Sequence, residues 1–252
     1  MQIGLIGCGN MARALARGWG RPVLCADPLA ERAQALAGET GGEALAENTS
    51  VAERADVVIL CHKPAQLEAV AAEIAPRSRA VASILAGTPL RALRHAYPGV
   101  PVYRFMPSLP VEVRQGAVVQ EVGPEQDEQL DAAVAELFAE LGTLVALDEP
   151  LVDVAMGLMS CAPAYVALVV EAQVDAGVRR GIPASQGAEL VVQTLAGTAE
   201  LLRRRGHDTL AVRREVASPG GSTARGLDAL ERGGLRAAFS HALDAVLGSE
   251  HG

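Results

Sequence analysis

Aromatic residues make up only 3% of this 252-residue chain. Half of the residues are apolar, so the core must be built from Ala, Val and Leu, which favours helices packed closely around a sheet. The four cysteines, Cys8, Cys25, Cys61 and Cys161, are far apart and form no CxxC pair, which excludes a disulfide framework and leaves reduced, partly buried thiols as the expected state. The five histidines show no HxxxH or HExxH spacing, so no metal site is expected. From Pro150 onward there is no lysine. A net charge of −8 argues against a nucleic-acid backbone or an anionic membrane as partner. No run reaches 18 uninterrupted apolar residues, and Met1 leads directly into a strand pattern, so neither a membrane span nor a signal peptide is expected. The chain reads as soluble and cytoplasmic, with no internal repeat and no low-complexity segment.

What is present is an alternation. Strand patterns at Gln2–Ile6, Pro22–Ala26, Asp56–Leu60, Ala80–Leu85 and Val100–Phe105 are separated by stretches rich in Ala and Leu that read as helices. Ala117–Glu121, a helix from about Pro124 to Leu141, and Thr143–Leu147 complete this half. Such an order predicts a parallel, doubly wound α/β sheet of Rossmann type. The pattern changes near Pro150. Ala164 to Arg180, Ala184 to Arg205 and Thr223 to Leu247 all read as helices. We therefore expect a dinucleotide-binding domain over residues 1–149 and an all-helical domain over residues 150–252. Ala164–Val178 is apolar on almost every side and needs neighbours all round, which points to pairing with a second copy of the chain.

Two glycine turns carry the chemistry. Gly7-Cys8-Gly9-Asn10-Met11-Ala12 follows a strand and opens a helix, fitting G-x-G-x-x-G/A with Ala12 in the third place. Gly7 allows the tight turn, Gly9 lets a pyrophosphate approach the backbone, and Ala12 is small enough for the helix to pack on the sheet. Asp27 ends the second strand. It can bind ribose hydroxyls and repel a 2′-phosphate, favouring NADH over NADPH, or it can simply cap the helix that begins at Pro28. Arg32 lies near enough to complicate that choice. His62-Lys63-Pro64 and Ala86-Gly87-Thr88 follow strands whose carboxyl ends should face the same crevice. The second turn is Ser218-Pro219-Gly220-Gly221-Ser222-Thr223, just before the apolar positions Leu227 and Leu230. Bare N–H groups at such a helix start form a trap sized for a carboxylate. It also reads as an ordinary interhelical turn.

Together these segments resemble the pyrroline-5-carboxylate reductase family over nearly the whole chain. Ile6–Ala12 resembles its cofactor loop, His62-Lys63-Pro64 its Val-Lys-Pro segment, Ser83–Gly87 the segment ending in Ala-Gly, and Arg104-Phe105-Met106-Pro107 its Arg-x-Met-Pro loop. Pro163-Ala164-Tyr165 resembles the end of its Gly-Ser-Gly-Pro-Ala-Tyr motif, and Ser218–Thr223 its Ser-Pro-Gly-Gly-Thr-Thr signature. Two departures stand out. Ser108 occupies the place of an Asn, and Ser160-Cys161-Ala162 replaces Gly-Ser-Gly.

The resemblance implies hydride transfer from NADH or NADPH to the C=N carbon of a cyclic imine acid. It implies that Gly7, Gly9, Asn10, Met11 and Ala12 hold the pyrophosphate, that Lys63, Pro64 and Ala86 line the nicotinamide ribose, and that Met106, Pro107 and Ser108 line the nicotinamide side. It places the substrate carboxylate at Ser218, Gly220, Gly221, Ser222 and Thr223. The Thr223 hydroxyl would face the ring nitrogen, unless it serves only as a cap. It also implies a homodimer or a ring of dimers, in which the helical domain of one subunit completes the site of its partner. A β-hydroxyacid dehydrogenase shares this layout but needs a catalytic lysine on a helix of its second domain, which this chain lacks.

Overall fold

The structure, a computed structural model, describes residues 1–124 and 126–248. They form two compact units, Met1–Pro163 and a second that begins at Ala164.

The first unit is built on an eight-stranded sheet. Its strands are β1 (Ile3–Ile6), β2 (Leu24–Ala26), β3 (Glu43–Ala44), β4 (Val57–Leu60), β5 (Val81–Ser83), β6 (Val102–Pro107), β7 (Gly116–Glu121) and β8 (Gly142–Leu147), in the order β3-β2-β1-β4-β5-β6-β7-β8. The central strands β1, β4 and β5 are buried at every position, and helices cover both faces, so their sequences run continuously apolar instead of alternating. One face carries α1 (Asn10–Trp19) and α6 (Glu128–Ala139). The other packs against α3 (Asn48–Arg54), α4 (Leu67–Ile74) and α5 (Leu90–Ala96). The remaining helices of this unit are α2 (Ala30–Thr40) and α7 (Glu149–Ala155).

The sheet departs from the parallel pattern at one place. β7 runs antiparallel to β6, in the register Phe105↔Gln120. Only residues 108–115 connect the two strands, too few for a helical crossover, which takes about a dozen. The chain must turn straight back. Helix α6 then supplies a full crossover, and β8 pairs parallel with β7.

The scarce aromatics are concentrated. Phe105 and Phe138 stack at 3.8 Å between ring centroids, and Trp19 meets Phe138 edge-on at 5.8 Å. The Trp19 indole N–H donates to the Leu137 carbonyl at 2.8 Å, so the buried ring leaves no donor unpaired. This cluster joins α1, β6 and α6 across one face of the sheet.

The second unit holds α8 (Ala162–Val178), which starts in the first, then α9 (Ala184–Arg204), α10 (Thr209–Val216), α11 (Ser222–Arg232) and α12 (Leu235–Leu247). The single helix expected from Thr223 to Leu247 is two helices. Gly234 adopts φ 76°, a left-handed conformation that breaks the helix after Arg232. Among the described residues of this unit only Gly187 and Val212 are buried. Leu168 is 64% exposed and Phe239 50% exposed. With α7 and the π-helical turn Met156–Ser160, α8 forms one helical run, Glu149–Val178. That run is long and apolar enough, by length and composition, to cross a membrane, although it contains no 18 uninterrupted apolar residues. The apolar surface of these helices is not covered within one chain.

Phe138→Ala should lower the stability of the first unit by about 3–5 kcal/mol, because it empties a fully buried aromatic position. Urea unfolding followed by Trp19 fluorescence measures this.

Candidate functional site

The first glycine turn sits at the carboxyl end of β1, where α/β sheets bind ligands. Gly7 adopts φ 93°, and a β-carbon there would lie 2.8 Å from the carbonyl carbon of Cys61. Both the angle and the space demand glycine. Gly9 differs. Its φ is −74°, and no atom lies within 4 Å of where a β-carbon would stand. The protein itself sets no need for glycine at this place, so the space is left for something outside the chain. No side chain caps α1, which begins at Asn10, so its positive end is open to an anion.

Asp27 serves the backbone with both oxygens. Cys8 N–H donates to Oδ2 at 2.8 Å, and Leu29 N–H donates to Oδ1 at 2.9 Å. The carboxylate thus pins the glycine turn and closes a second turn on Leu29 N–H, just ahead of α2, whose own cap residue Leu29 supplies no side-chain cap. It also lines a cleft of about 270 Å³, together with Gly7, Gly9, Arg32, His62, Lys63 and Gln66. Lys63 is the only lysine of the chain. Its backbone N–H donates to Gln66 Oε1 at 3.1 Å, which fixes the turn at Pro64. Gln66 escaped the sequence reading, although its spacing of three from Lys63 is that of a capping residue. His62 Nδ1 lies 2.9 Å from the Lys63 carbonyl, and burial lowers the imidazole pKa, so the ring is neutral near pH 7 with its proton held by that carbonyl. Burial pushes the Cys61 thiol up, and contact with Cys25 together with burial does the same to Cys8. Neither sulfur is a ready thiolate.

The other proposed cofactor residues take separate places. Asn10 is exposed at the head of α1, Met11 is half-buried, and Ala12 is buried on the core side of the helix, as its small size allows. Ala86 is exposed in the turn after β5. Met106, Pro107 and Ser108 are buried at the end of β6 and do not line the cleft of Gly7. Met106 packs with Val119, Val152 and Ala155. The Ser108 hydroxyl accepts from Ala117 N–H at 2.9 Å, so it is used by the β6–β7 connection.

The second turn is a tight one. Gly221 N–H donates to the Ser218 carbonyl at 3.0 Å, with Pro219 and Gly220 between them and Gly220 at φ 68°. Gly221 is pressed against Ser218, since a β-carbon there would lie 2.5 Å from Ser218 Oγ. Helix α11 starts at Ser222 without a capping side chain. Its leading N–H groups and the half-buried Thr223 are therefore available to a carboxylate. Arg225 Nη1 donates to the Gly220 carbonyl at 2.7 Å and holds the turn, a contact with no signal in the sequence.

Residues 149–250 match the family described as pyrroline-5-carboxylate reductase dimerisation, and residues 2–87 match NADP oxidoreductase, coenzyme F420-dependent. The chain is 37% identical to the pyrroline-5-carboxylate reductase of Thermus thermophilus, over 100% of this chain and 98% of that protein. This chain belongs to the pyrroline-5-carboxylate reductase family. It is also 31% identical to the enzyme of that name from Glycine max, over 97% of this chain and 93% of the other. Among solved structures, pyrroline carboxylate reductase of Plasmodium falciparum with NADP bound aligns with a TM-score of 0.86 at 25% identity, covering 98% of this chain and 95% of that one. The Streptococcus pyogenes enzyme gives 0.87 at 29% identity, covering 98% and 97%. The fold is thus that of the family, and a nicotinamide cofactor is supported.

Substitutions at the two glycines should separate fold from binding. Gly7→Ala should destabilise the first unit by more than about 1 kcal/mol, because alanine strains a positive φ. Gly9→Ala should leave the melting temperature unchanged and weaken dinucleotide binding. Thermal melts and fluorescence titration with NADH read the two effects.

Proposed function

We propose that this chain reduces the C=N bond of 1-pyrroline-5-carboxylate to give proline, with a reduced nicotinamide dinucleotide as donor. The observation that carries this reading is a pair of uncapped helix starts, α1 after the open Gly9 and α11 after Ser218–Gly221, in a chain whose full-length relatives bear that enzyme's name.

The dinucleotide supplies a hydride when bound. The chain's own residues do the positioning. The N–H groups around Gly7, Gly9, Asn10, Met11 and Ala12 take the pyrophosphate. Lys63, Pro64 and Ala86 line the ribose next to the nicotinamide, and the end of β6, Met106 to Ser108, backs the nicotinamide side. At the other turn, Gly221, Ser222 and Thr223 hold the substrate carboxylate through backbone N–H groups, with Ser218 and Gly220 shaping the bend. The Thr223 hydroxyl faces the ring nitrogen.

Little acid–base machinery is required. An aliphatic imine is basic enough to arrive partly protonated, already a good hydride acceptor. Catalysis is then chiefly orientation and exclusion of water. This agrees with a neutral His62 and with thiols held in the protonated form.

Asp27 favours NADH, because its carboxylate repels the extra phosphate of NADPH. The exposed apolar faces of α8, α9 and α12 are covered by a second copy, giving a homodimer or a ring of dimers, and the protein works in the cytoplasm.

Thr223→Ala should lower kcat by roughly 100-fold while dinucleotide affinity stays within a factor of about two. Equal losses in both would remove the assigned role. Asp27→Asn keeps a side chain of the same shape with one acceptor oxygen. It should raise the NADPH-to-NADH ratio of kcat/KM by about tenfold, equivalent to roughly 1.4 kcal/mol. An unchanged ratio would leave Asp27 only as the acceptor that holds the two turns beside it. Both are read by following oxidation of the reduced dinucleotide with 1-pyrroline-5-carboxylate and confirming proline as product.

A further inference from the structure

The register that reverses β7 also sets Arg104 directly opposite Glu121. Both side chains are almost fully buried, at 2% and 3% exposure, and Arg104 Nη1 donates to Glu121 Oε2 at 2.7 Å. A charged pair this deep is costly to desolvate and is weak support for stability as such. Its reach is more informative. The second oxygen of Glu121, Oε1, accepts from Leu90 N–H at 3.3 Å, the first N–H of α5. Pro89, at the cap position of that helix, provides no side-chain cap, so Glu121 fills the role from another strand. On the other side, Arg104 Nη2 donates to Asp153 Oδ1 on α7 at 3.2 Å.

One buried pair therefore ties four elements. They are β6, which runs on into Met106, Pro107 and Ser108, the end of β7, the turn Ala86–Pro89 with the start of α5, and α7. Gly87 in that turn adopts φ 65°, and two long bonds brace the turn, Thr88 N–H to the Leu85 carbonyl and Thr88 Oγ1 to the Ala86 carbonyl, each 3.4 Å. The turn's own bonds are long, and at its far end Leu90 N–H meets a buried carboxylate, a charged acceptor. Two of the segments proposed to meet the nicotinamide half of the dinucleotide, Ala86 and Met106–Ser108, are thus referenced to the same guanidinium.

We propose that Arg104 and Glu121 are positioning residues that set the Ala86–Pro89 turn and the end of β6 in register with each other, without touching dinucleotide or substrate themselves. The kinetic part of this inference rests on the reductase reading. The structural part does not.

The test pairs hydrogen exchange on the dinucleotide-free chain with kinetics. In Arg104→Met/Glu121→Met both buried charges are removed together, so the melting temperature should stay near that of the parent. The Leu90 amide should exchange about tenfold faster or more, while amides of β1 and β4 remain unchanged. Turnover per bound dinucleotide should fall about tenfold or more with KM for the dinucleotide unchanged, a split that a loss of folded protein would not produce. Arg104→Lys keeps a cation beside Glu121 but gives up the fork to Asp153. It should preserve Leu90 protection, speed exchange of the α7 amides, and give a kcat clearly below the parent's but above that of the double variant. Unchanged Leu90 exchange in the double variant, or parental turnover in both variants, would overturn the proposal. Should the double variant not fold, Arg104→Lys decides by itself, and parental kcat together with unchanged α7 exchange rejects the clamp. A parent chain that never reduces the imine acid defeats the reductase reading, and the exchange arm still judges the clamp.

Discussion

Where β1 ends, its backbone passes so close to Cys61 that a single β-carbon on Gly7 would collide with the carbonyl. Three strand ends converge here. Gly7 N–H donates to the Ala26 carbonyl at 2.9 Å, and Cys61 N–H donates to the Ile6 carbonyl at 2.8 Å. Asp27 adds a bond to Cys8 N–H from the end of β2. The approach of β1, β2 and β4 at this point aims α1 over the sheet with its uncapped start facing outward. Everything assigned to the dinucleotide depends on that launch angle. Gly9 has room to spare because Gly7 has none.

A different constraint governs the second unit. Its helices bury almost nothing among the described residues, so they cannot hold together as an independent core. The match of residues 149–250 to a dimerisation family gives those apolar faces a purpose. A short helix start that presents N–H groups to a carboxylate is useful only if it is held rigidly. In this unit the turn is stiffened by Pro219, by the Gly221–Ser218 contact and by Arg225. A reaction that relies on orientation more than on acid–base groups suits such a scaffold.

Much of this was legible in the amino acids. The runs at Ile3–Ile6 and Val57–Leu60 announced buried parallel strands because burial on both faces leaves no polar positions. The glycines at 7, 9, 220 and 221 announced the two turns. The reversal of β7 was hidden, since a strand's direction is not written in its own residues, only in the length of the connection before it. The break at Gly233-Gly234 was missed because apolar spacing continues across it. β3, α3, α5 and α10 are too short to show a period. Asp27 offered two readings; in the structure its carboxylate accepts from Leu29 N–H in the turn before α2, without capping the helix, and lines the cleft. Arg104 and Glu121 could not be paired without the register of β6 and β7. That Met106, Pro107 and Ser108 are buried at the end of β6 was not legible, because a sequence motif fixes neighbours along the chain and not the direction of side chains.

The central claim is direct hydride delivery to the imine carbon. It is tested most directly with a reduced dinucleotide carrying deuterium at the transferable position of the nicotinamide, incubated with 1-pyrroline-5-carboxylate and the full chain. The account predicts proline with deuterium on the ring carbon that was doubly bonded to nitrogen. Proline without the label, or oxidised dinucleotide without proline, would contradict it.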